Sequence, residues 1–406
     1  MQNNNLPDWW KIVKLKDYTT EIKQKNKDNA KLTVFSISNK RWFVKSDDYF
    51  EWQVYSKNLK NYKIVKKWEF WFSPPRINVW SIAYMEEYEI WVISPIYVVF
   101  ALKDWIDVKF FKYFMKGHLF NKQVNNFTQW AVRQNLSYDD FWKIELLLPP
   151  LEVQKEIAWK LNDLDKLIQT QNNQIEKYEK LKKAMMKKLF SEWIWHTEFK
   201  EDKYLGKIPK EWEVNKLGNL IKKYQYWLSY SMNEDGIWKK IVKMDNLKKW
   251  RINYDNLKYV EITDEEFKKF KLEKWDLLIN RTNSLELVWR SWIVHENDDV
   301  VFASYLIRIF LDTNLLNNKY TNYYFAYILK YIQNLSTQWV SQANINTWAL
   351  NIIPIKKHNL IEQEKIADIL ENIDNLLEKE REIKEGYEKV KKWIVSLVFS
   401  CNLLIK

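Results

Sequence analysis

The sequence predicts an α+β protein: two mixed α/β domains separated by two long antiparallel coiled-coil helices, in a pseudo-two-fold arrangement. Three observations carry this expectation. The chain repeats itself as a whole module, each copy ends in a long heptad-patterned block, and each copy begins with short β-branched and aromatic runs between polar turns. The match runs at an offset of 209. Thr128-Gln129-Trp130 recurs as Thr337-Gln338-Trp339, and Asn135 as Asn344. Gln154, Ile157 and Ala158 recur as Gln363, Ile366 and Ala367; Leu161, Asp165 and Leu167 recur as Leu370, Asp374 and Leu376. Tyr178-Glu179-Lys180, Lys182-Lys183 and Phe190-Ser191 recur as Tyr387-Glu388-Lys389, Lys391-Lys392 and Phe399-Ser400. The period is far too long for a solenoid, so a module has been duplicated.

The elements follow from local pattern. Strand-like runs are Leu32–Ser38, Ile93–Phe100, Asp276–Asn280 and Ser304–Phe310; helical stretches include Val108–Leu119 and Tyr323–Gln333. The first long helix starts after the Pro149-Pro150 stop and covers Leu151–Ser191. Its Ile157, Leu161, Leu164, Ile168, Ile175 and Tyr178 alternate by four and three, with Gln171 in one polar slot. The second covers Ile361–Ser400. Ile366, Leu370, Ile373, Leu377 and Tyr387 repeat the register, with Glu380 in the same slot. Matched registers predict that the helices pack on each other, burying Ile157, Leu161, Leu164, Ile366, Leu370 and Ile373 between them; two amphipathic helices on separate cores are the plain alternative. The expected boundaries are 1–150, 151–195, 196–360 and 361–406. A helix of about 40 residues is roughly 60 Å long, so an antiparallel pair would hold two globular domains apart. Duplex DNA repeats every 34–36 Å or so, and a basic, pseudo-symmetric dumbbell suits two separated half-sites.

Composition sets the class. Among 406 residues, 65 Lys and Arg face 53 Asp and Glu, a net charge of +12. With 47% apolar residues the chain can fill real cores, which excludes a disordered tail protein. The single cysteine, Cys401, excludes a disulfide scaffold and points to a reducing compartment. MQNNNLPDWWK does not read as a signal peptide. The longest apolar runs, Ile90–Leu102 and Ile394–Ile405, are too short to span a bilayer, and the first contains Pro95. A basic cytoplasmic protein is expected.

One feature of the composition is abnormal: 24 tryptophans against 5 glycines. Ordinary usage of roughly 7% would give about 28 glycines. Tryptophan cannot supply the positive φ of turns and helix C-caps, yet Trp68 in KKWEF and Trp275 in EKWDLL stand where turns belong. We read most of these tryptophans as UGA codons of a lineage that decodes UGA as glycine; a truly tryptophan-rich protein is the plain alternative. Trp10 and Trp212, in the matching segments PDWWKIVKL and PKEWEVNKL, look genuine. Adding the other 22 to the 5 glycines present gives an ordinary 27.

The spacer block LPPLEVQKEIAWKLNDLDKLIQTQNNQIEKYEKLKKAMMKKLF resembles that of the specificity subunits of type I restriction–modification enzymes. Pro149, Pro150, Gln154, Ile157, Ala158, Leu161, Leu164, Asp165, Lys182, Lys183, Leu189 and Phe190 match its pattern. The copy IEQEKIADILENIDNLLEKE matches without the proline pair. The loops TQWAVRQNLS and TQWVSQANIN resemble the family's Thr-Gln-Gly loop, with Trp in place of Gly. The resemblance covers nearly the whole chain. It implies two target-recognition domains on two spacer helices, a bipartite double-stranded DNA target and no catalytic centre or cofactor in this subunit. It also implies recruitment of two methyltransferase subunits, which use S-adenosylmethionine, and two motor–nuclease subunits, which use ATP and Mg2+.

DNA contact needs cations for phosphates and Arg, Asn or Gln for base edges. WFSPPRIN carries Arg76 and Asn78, and INRTNS carries Arg281, Thr282 and Asn283. The second pair of loops carries Gln129, Arg133 and Gln134, and Gln338, Ser341 and Gln342. Each is a candidate DNA-binding residue, and a solvated or loop-bracing role is the plain alternative for any one of them. Enzymatic readings fare worse. Ser73-Pro74-Pro75-Arg76 lacks the aromatic that would stack on a flipped base in an amino-methyltransferase. There is no Walker A lysine motif. Glu152 and Lys155 are spaced like the end of a nuclease motif, but an acid there is explained by the helix dipole. His118, His196, His295 and His358 lack metal-ligand spacing. A coiled-coil scaffold binding only proteins is the competing class. Neighbouring methyltransferase and helicase–nuclease genes would separate the two.

Overall fold

A computed structural model describes residues 9–38, 42–49, 55–79, 81–129, 136, 138–192, 196–203, 205–227, 231–234, 236, 238–247, 251–281, 288–296, 298–339 and 347–399. Four helices frame it: α1 (Val108–Met115), α2 (Leu151–Ser191), α3 (Asn318–Trp339) and α4 (Leu360–Val398). The chain divides into two compact units. Unit 1 comprises residues 1–172 and 383–406, and unit 2 residues 173–382. Each unit therefore holds one globular domain, the first half of the long helix that follows it and the second half of the other long helix.

In unit 1, strands Thr19–Ile22, Val98–Leu102, Phe70–Phe72 and Ile82–Tyr84 form an antiparallel sheet in that order. A second sheet orders Trp42–Lys45, Val34–Ser38, Ile90–Ile93 and Lys63–Lys66, its middle pair parallel. Unit 2 repeats the first sheet as Ile221–Tyr226, Leu306–Leu311, Leu277–Asn280 and Ser291–Ile293. Its second sheet, Met232–Asn233, Lys258–Val260, Lys239–Val242 and Val300–Phe302, also contains one parallel pair. In each unit a short ribbon (Lys11–Lys14 with Glu145–Leu148; Glu213–Lys216 with Pro354–Lys357) leads into the long helix. These strands form because apolar runs such as FWF and LLIN are buried on both faces.

Two expected elements divide. The run Ile93–Phe100 is not one strand: Ile90–Ile93 and Val98–Leu102 belong to different sheets. Pro95 has no N–H for a ladder, and a turn closes with the Tyr97 amide donating to the Ser94 carbonyl at 3.2 Å. The stretch Val108–Leu119 also breaks, α1 ending at Met115 and a new helix beginning at His118.

The long helices pair antiparallel within each unit as expected, but the partners of their apolar stripes differ from expectation. Ile157, Leu161 and Leu164 lie in the core of unit 1, against Phe110, Phe111, Phe114 and the α4 residues Ile394, Val395 and Val398. Ile366 and Leu370 lie in the core of unit 2, with Leu189, Phe190, Tyr320 and Tyr324. The two sets belong to different hydrophobic cores. The first half of each helix closes the core of the domain it follows, and the helix segments that meet within a unit run antiparallel.

The same side-chain ties recur in both units. Gln154 accepts from the Asp107 amide at 2.8 Å and donates to the carbonyls of Trp105 (3.0 Å) and Pro149 (2.8 Å). Gln363 accepts from the Asn317 amide at 2.8 Å and donates to Leu315 (3.0 Å) and His358 (2.8 Å). Asp107 and Asn317 themselves cap the first turns of α1 and α3, through the Phe110 and Tyr320 amides. The motif glutamine thus fastens the start of each spacer to the cap of a domain helix.

Backbone conformation bears on the tryptophans. Among the described residues, five other than glycine have positive φ: Asn29, Asn256, Trp68 (70°), Trp275 (74°) and Trp289 (71°). Several further tryptophans are exposed, including Trp105, Trp159, Trp348 and Trp393, whereas Trp71 and Trp91 are fully buried in strands. Trp130 lies outside the described residues. Trp339 ends α3, and its side chain lies outside them too.

Candidate nucleic-acid interface

The candidate loops are built on the ends of buried strands. In unit 1 the strand Phe70–Phe72 runs into a 3-10 turn, Pro74–Val79, pinned by buried Ile77. Arg76 is exposed on this turn; its amide donates to the Ser73 carbonyl at 3.0 Å, and its carbonyl accepts from Ser81 at 3.2 Å. Asn78 lies on the same turn, its side chain outside the described residues. The Leu136 amide donates to the Pro74 carbonyl at 3.1 Å. This bond joins the end of the second candidate loop to the first. Gln129 closes the helix His118–Gln129, its side chain not among the described ones, and Arg133 and Gln134 lie outside the described residues.

Unit 2 repeats the plan. Leu277–Asn280 is buried throughout and delivers Arg281. The Arg281 amide donates to the Tyr305 carbonyl at 3.0 Å and Nε to the Ser304 carbonyl at 3.1 Å. Its guanidinium lies 5.4 Å from the centre of the Tyr226 ring. Burial raises the Tyr226 hydroxyl above its ordinary value, with Arg281 opposing, so the ring is neutral at physiological pH. Thr282, Asn283, Ser341 and Gln342 lie outside the described residues, as does the side chain of Gln338. The Gln333 side chain of α3 donates to the Val288 carbonyl at 3.3 Å, so α3, which leads to the second loop, is tied to the end of the first. A guanidinium held against an aromatic face keeps donors for phosphate or guanine. Tyr226 and Ser304 were not singled out from the sequence. The alternation in IKKYQY was the available signal for Tyr226.

Sequence spacing also hid a charged cluster at the start of α4. Glu362 receives Trp212 Nε1 at 3.1 Å, faces His196 Nε2 at 3.0 Å and lies 3.2 Å from His358 Nδ1. Trp212 stacks on His358 with ring centres 4.3 Å apart. Burial pulls His358 below its ordinary value, Glu362 only partly opposing. Burial pushes the Glu362 carboxyl up, but the two histidines outweigh it and the group is held low. Among the described residues no set of three or more His, Cys, Asp or Glu is arranged to hold a metal. No described helix is long and apolar enough to cross a membrane.

Two units of like build, each with a buried strand that delivers a candidate loop, define a duplicated two-domain protein on a basic chain. The chain belongs to the type I restriction modification DNA specificity domain family, whose model matches residues 7–177 and 209–388. It is 31% identical over 280 residues to the MjaVIII type I restriction enzyme specificity subunit of Methanocaldococcus jannaschii, a match covering 66% of this chain and 64% of that one. The chain therefore spans just under two thirds of that relative. A putative MjaX specificity subunit of the same organism is 31% identical over 332 residues, covering 77% of this chain and 69% of the relative. Among solved structures, the S subunit of a type I restriction–modification system from M. genitalium aligns with TM-score 0.61 at 14% identity, over 98% of each chain. A chain from a study of assembly and conformational transition in a type I R-M system aligns with TM-score 0.56 at 13% identity, over 97% of this chain and 98% of that one. Both show the fold.

Proposed function

We propose that this chain is the sequence-specificity subunit of a type I restriction–modification system, binding a bipartite double-stranded DNA target in the cytoplasm. Residues 1–150 read one half and residues 196–360 the other, while 151–195 and 361–406 act as spacers. The observation that carries the reading is the family match across both repeats, supported in each unit by a bond between the segments that flank the two candidate loops, Leu136 to Pro74 in unit 1 and Gln333 to Val288 in unit 2. Arg76, Asn78, Gln129, Arg133 and Gln134 are assigned to the first half-site. Arg281, Thr282, Asn283, Gln338, Ser341 and Gln342 are assigned to the second. The chain itself carries no catalytic group or cofactor. Two methyltransferase subunits bring S-adenosylmethionine, and two motor–nuclease subunits bring ATP and Mg2+. Co-expression with the neighbouring methyltransferase gene, followed by mapping of methylated adenines, tests this. A single split motif with a fixed gap is the expected result. Robust methylation by the isolated chain would overturn the non-catalytic assignment, and assembly without any DNA specificity would show a scaffold instead.

A further inference from the structure

Among the described residues each unit holds a tyrosine–aspartate–lysine joint whose lysine comes from the helix of the other module. In unit 2, Lys182 of α2 donates to both oxygens of Asp374 on α4, at 2.6 and 2.8 Å, and the Tyr323 hydroxyl of α3 donates to Asp374 Oδ2 at 2.9 Å. In unit 1, Lys391 of α4 donates to Asp165 Oδ1 on α2, and the Tyr113 hydroxyl of α1 donates to Asp165 Oδ2 at 2.8 Å. Asp165 and Asp374 are repeat equivalents, as are Lys182 and Lys391. In each case one carboxylate joins a domain helix, the spacer that follows that domain and the far half of the other spacer. Such a joint fixes how the recognition domain sits on its own helix pair, because planar acceptor geometry restrains all three partners.

We propose that Lys182 and Lys391 are crossed positioning residues for DNA reading. Lys391 follows the second domain in sequence but holds the first domain in register. Lys182 follows the first domain but holds the second. The proposal rests on the specificity-subunit reading. The test uses the full chain with its methyltransferase partner, comparing wild type, Lys391→Met, Lys182→Met and Lys391→Arg by methylome mapping. The half-site of each domain is assigned beforehand by replacing residues 1–150 with those of a relative. Lys391→Met should relax the half-site read by residues 1–150, with discrimination falling on the order of tenfold. Lys182→Met should act on the other half, and Lys391→Arg should restore the pattern. If Lys182→Met fails to fold, the partly exposed Lys391 decides alone. Relaxation in the uncrossed half, equal relaxation of both halves, or an unchanged motif would overturn the crossed assignment. A wild type that methylates no split site would instead overturn the underlying reading.

Trp68 and Trp275 each occupy the third position of a tight turn, closed by Glu69 N to Lys66 O and by Asp276 N to Glu273 O, both at 3.0 Å. Positive φ at that position favours glycine, and a tryptophan side chain there strains the backbone. Trp289 has the same conformation and is 3% exposed, and its buried indole N–H has no hydrogen-bond partner among the described residues. We infer that the natural chain carries glycine at 68, 275 and 289, inserted at UGA codons. Sequencing the gene and measuring the intact mass of the protein from its source should show UGA codons and the mass deficit of Trp-to-Gly exchange. In purified protein, Trp68→Gly and Trp275→Gly should each raise Tm by about 2–4 °C, the matching Ala variants should give no such rise, and Trp212→Gly should lower Tm. UGG at 68, 275 and 289, or a fall in Tm with glycine at 68 and 275, would overturn this inference.

Discussion

The tyrosine–aspartate–lysine joint is the same chemistry in two different solvents. In unit 2 the Lys182 and Asp374 side chains are each 6% exposed, whereas in unit 1 Lys391 and Asp165 are 22% and 32% exposed. Burial pulls Lys182 below its ordinary value, with Asp374 opposing. At Asp165 burial pushes the carboxyl up, but Lys391 and Tyr113 outweigh it and the group is held low. One motif at one repeat spacing therefore does not imply one energy: water supplies a substitute partner in unit 1 and not in unit 2. The two lysines should separate the units most. Lys182→Met should cost about 3–5 kcal/mol, because Asp374 is left charged and buried. Lys391→Met should cost at most about 1 kcal/mol. Urea unfolding of both variants measures the contrast, and equal losses would show that exposure does not set the strength of this joint.

The glutamine ties offer the opposite control. Gln154 and Gln363 are 1% and 0% exposed and make the same three bonds. Truncation leaves a buried amide and carbonyls unsatisfied, so Gln154→Ala and Gln363→Ala should each cost about 1–3 kcal/mol. Equal losses in thermal unfolding would show that duplicated ties of equal burial keep equal strength, and unequal losses would break that rule.

Much of this architecture was legible because duplication prints itself in sequence. The offset of 209 marked Gln154 with Gln363, Asp165 with Asp374 and Lys182 with Lys391. Heptad spacing located α2 and α4 to within about two residues. What those polar residues bond to was not legible. Tyr113 and Tyr323 stand in aromatic runs, KFFKYFM and TNYYFAY, where nothing local distinguishes a buried hydroxyl from core filling. Nor could periodicity say whether Leu161 faces the other helix or its own domain, since an apolar stripe specifies burial and not the partner. Arg281 was legible as a polar tip after a strand; its packing on Tyr226 depends on a strand more than fifty residues earlier.

The loops themselves should differ between units. Arg281 is braced by Ser304 and Tyr226, whereas Arg76 stands exposed on its 3-10 turn. A pre-positioned guanidinium loses less freedom on binding. Arg281→Ala should therefore cost roughly 1–3 kcal/mol and relax one position of one half-site. Arg76→Ala should affect only the other half. Methylome mapping with affinity measured across salt concentrations separates base from phosphate contact, because a lost phosphate contact weakens all sequences alike and lowers the salt dependence.

The smallest expected difference is in acid. At the position of His358 in unit 2, unit 1 has Pro149, and at that of Glu362 it has Val153, so the His196–Glu362–His358 cluster has no counterpart at those sites. Both shifts act in one direction. His358 is held below its ordinary 6.5 by burial, so the unfolded chain takes up a proton first as pH falls through that value, and stability is lost. Glu362 is held below its ordinary 4.5, so its contribution is complete above that value and is lost as pH falls through the lower folded one. Unit 2 should therefore loosen first as pH falls below 6.5, and further as it falls below 4.5. Hydrogen exchange at the start of α4 should rise in that window while exchange at the start of α2 stays flat. Glu362→Gln keeps the shape and removes the carboxylate titration, so it should flatten the lower part of the profile. An equal rise at the starts of both helices would place the acid sensitivity outside this cluster.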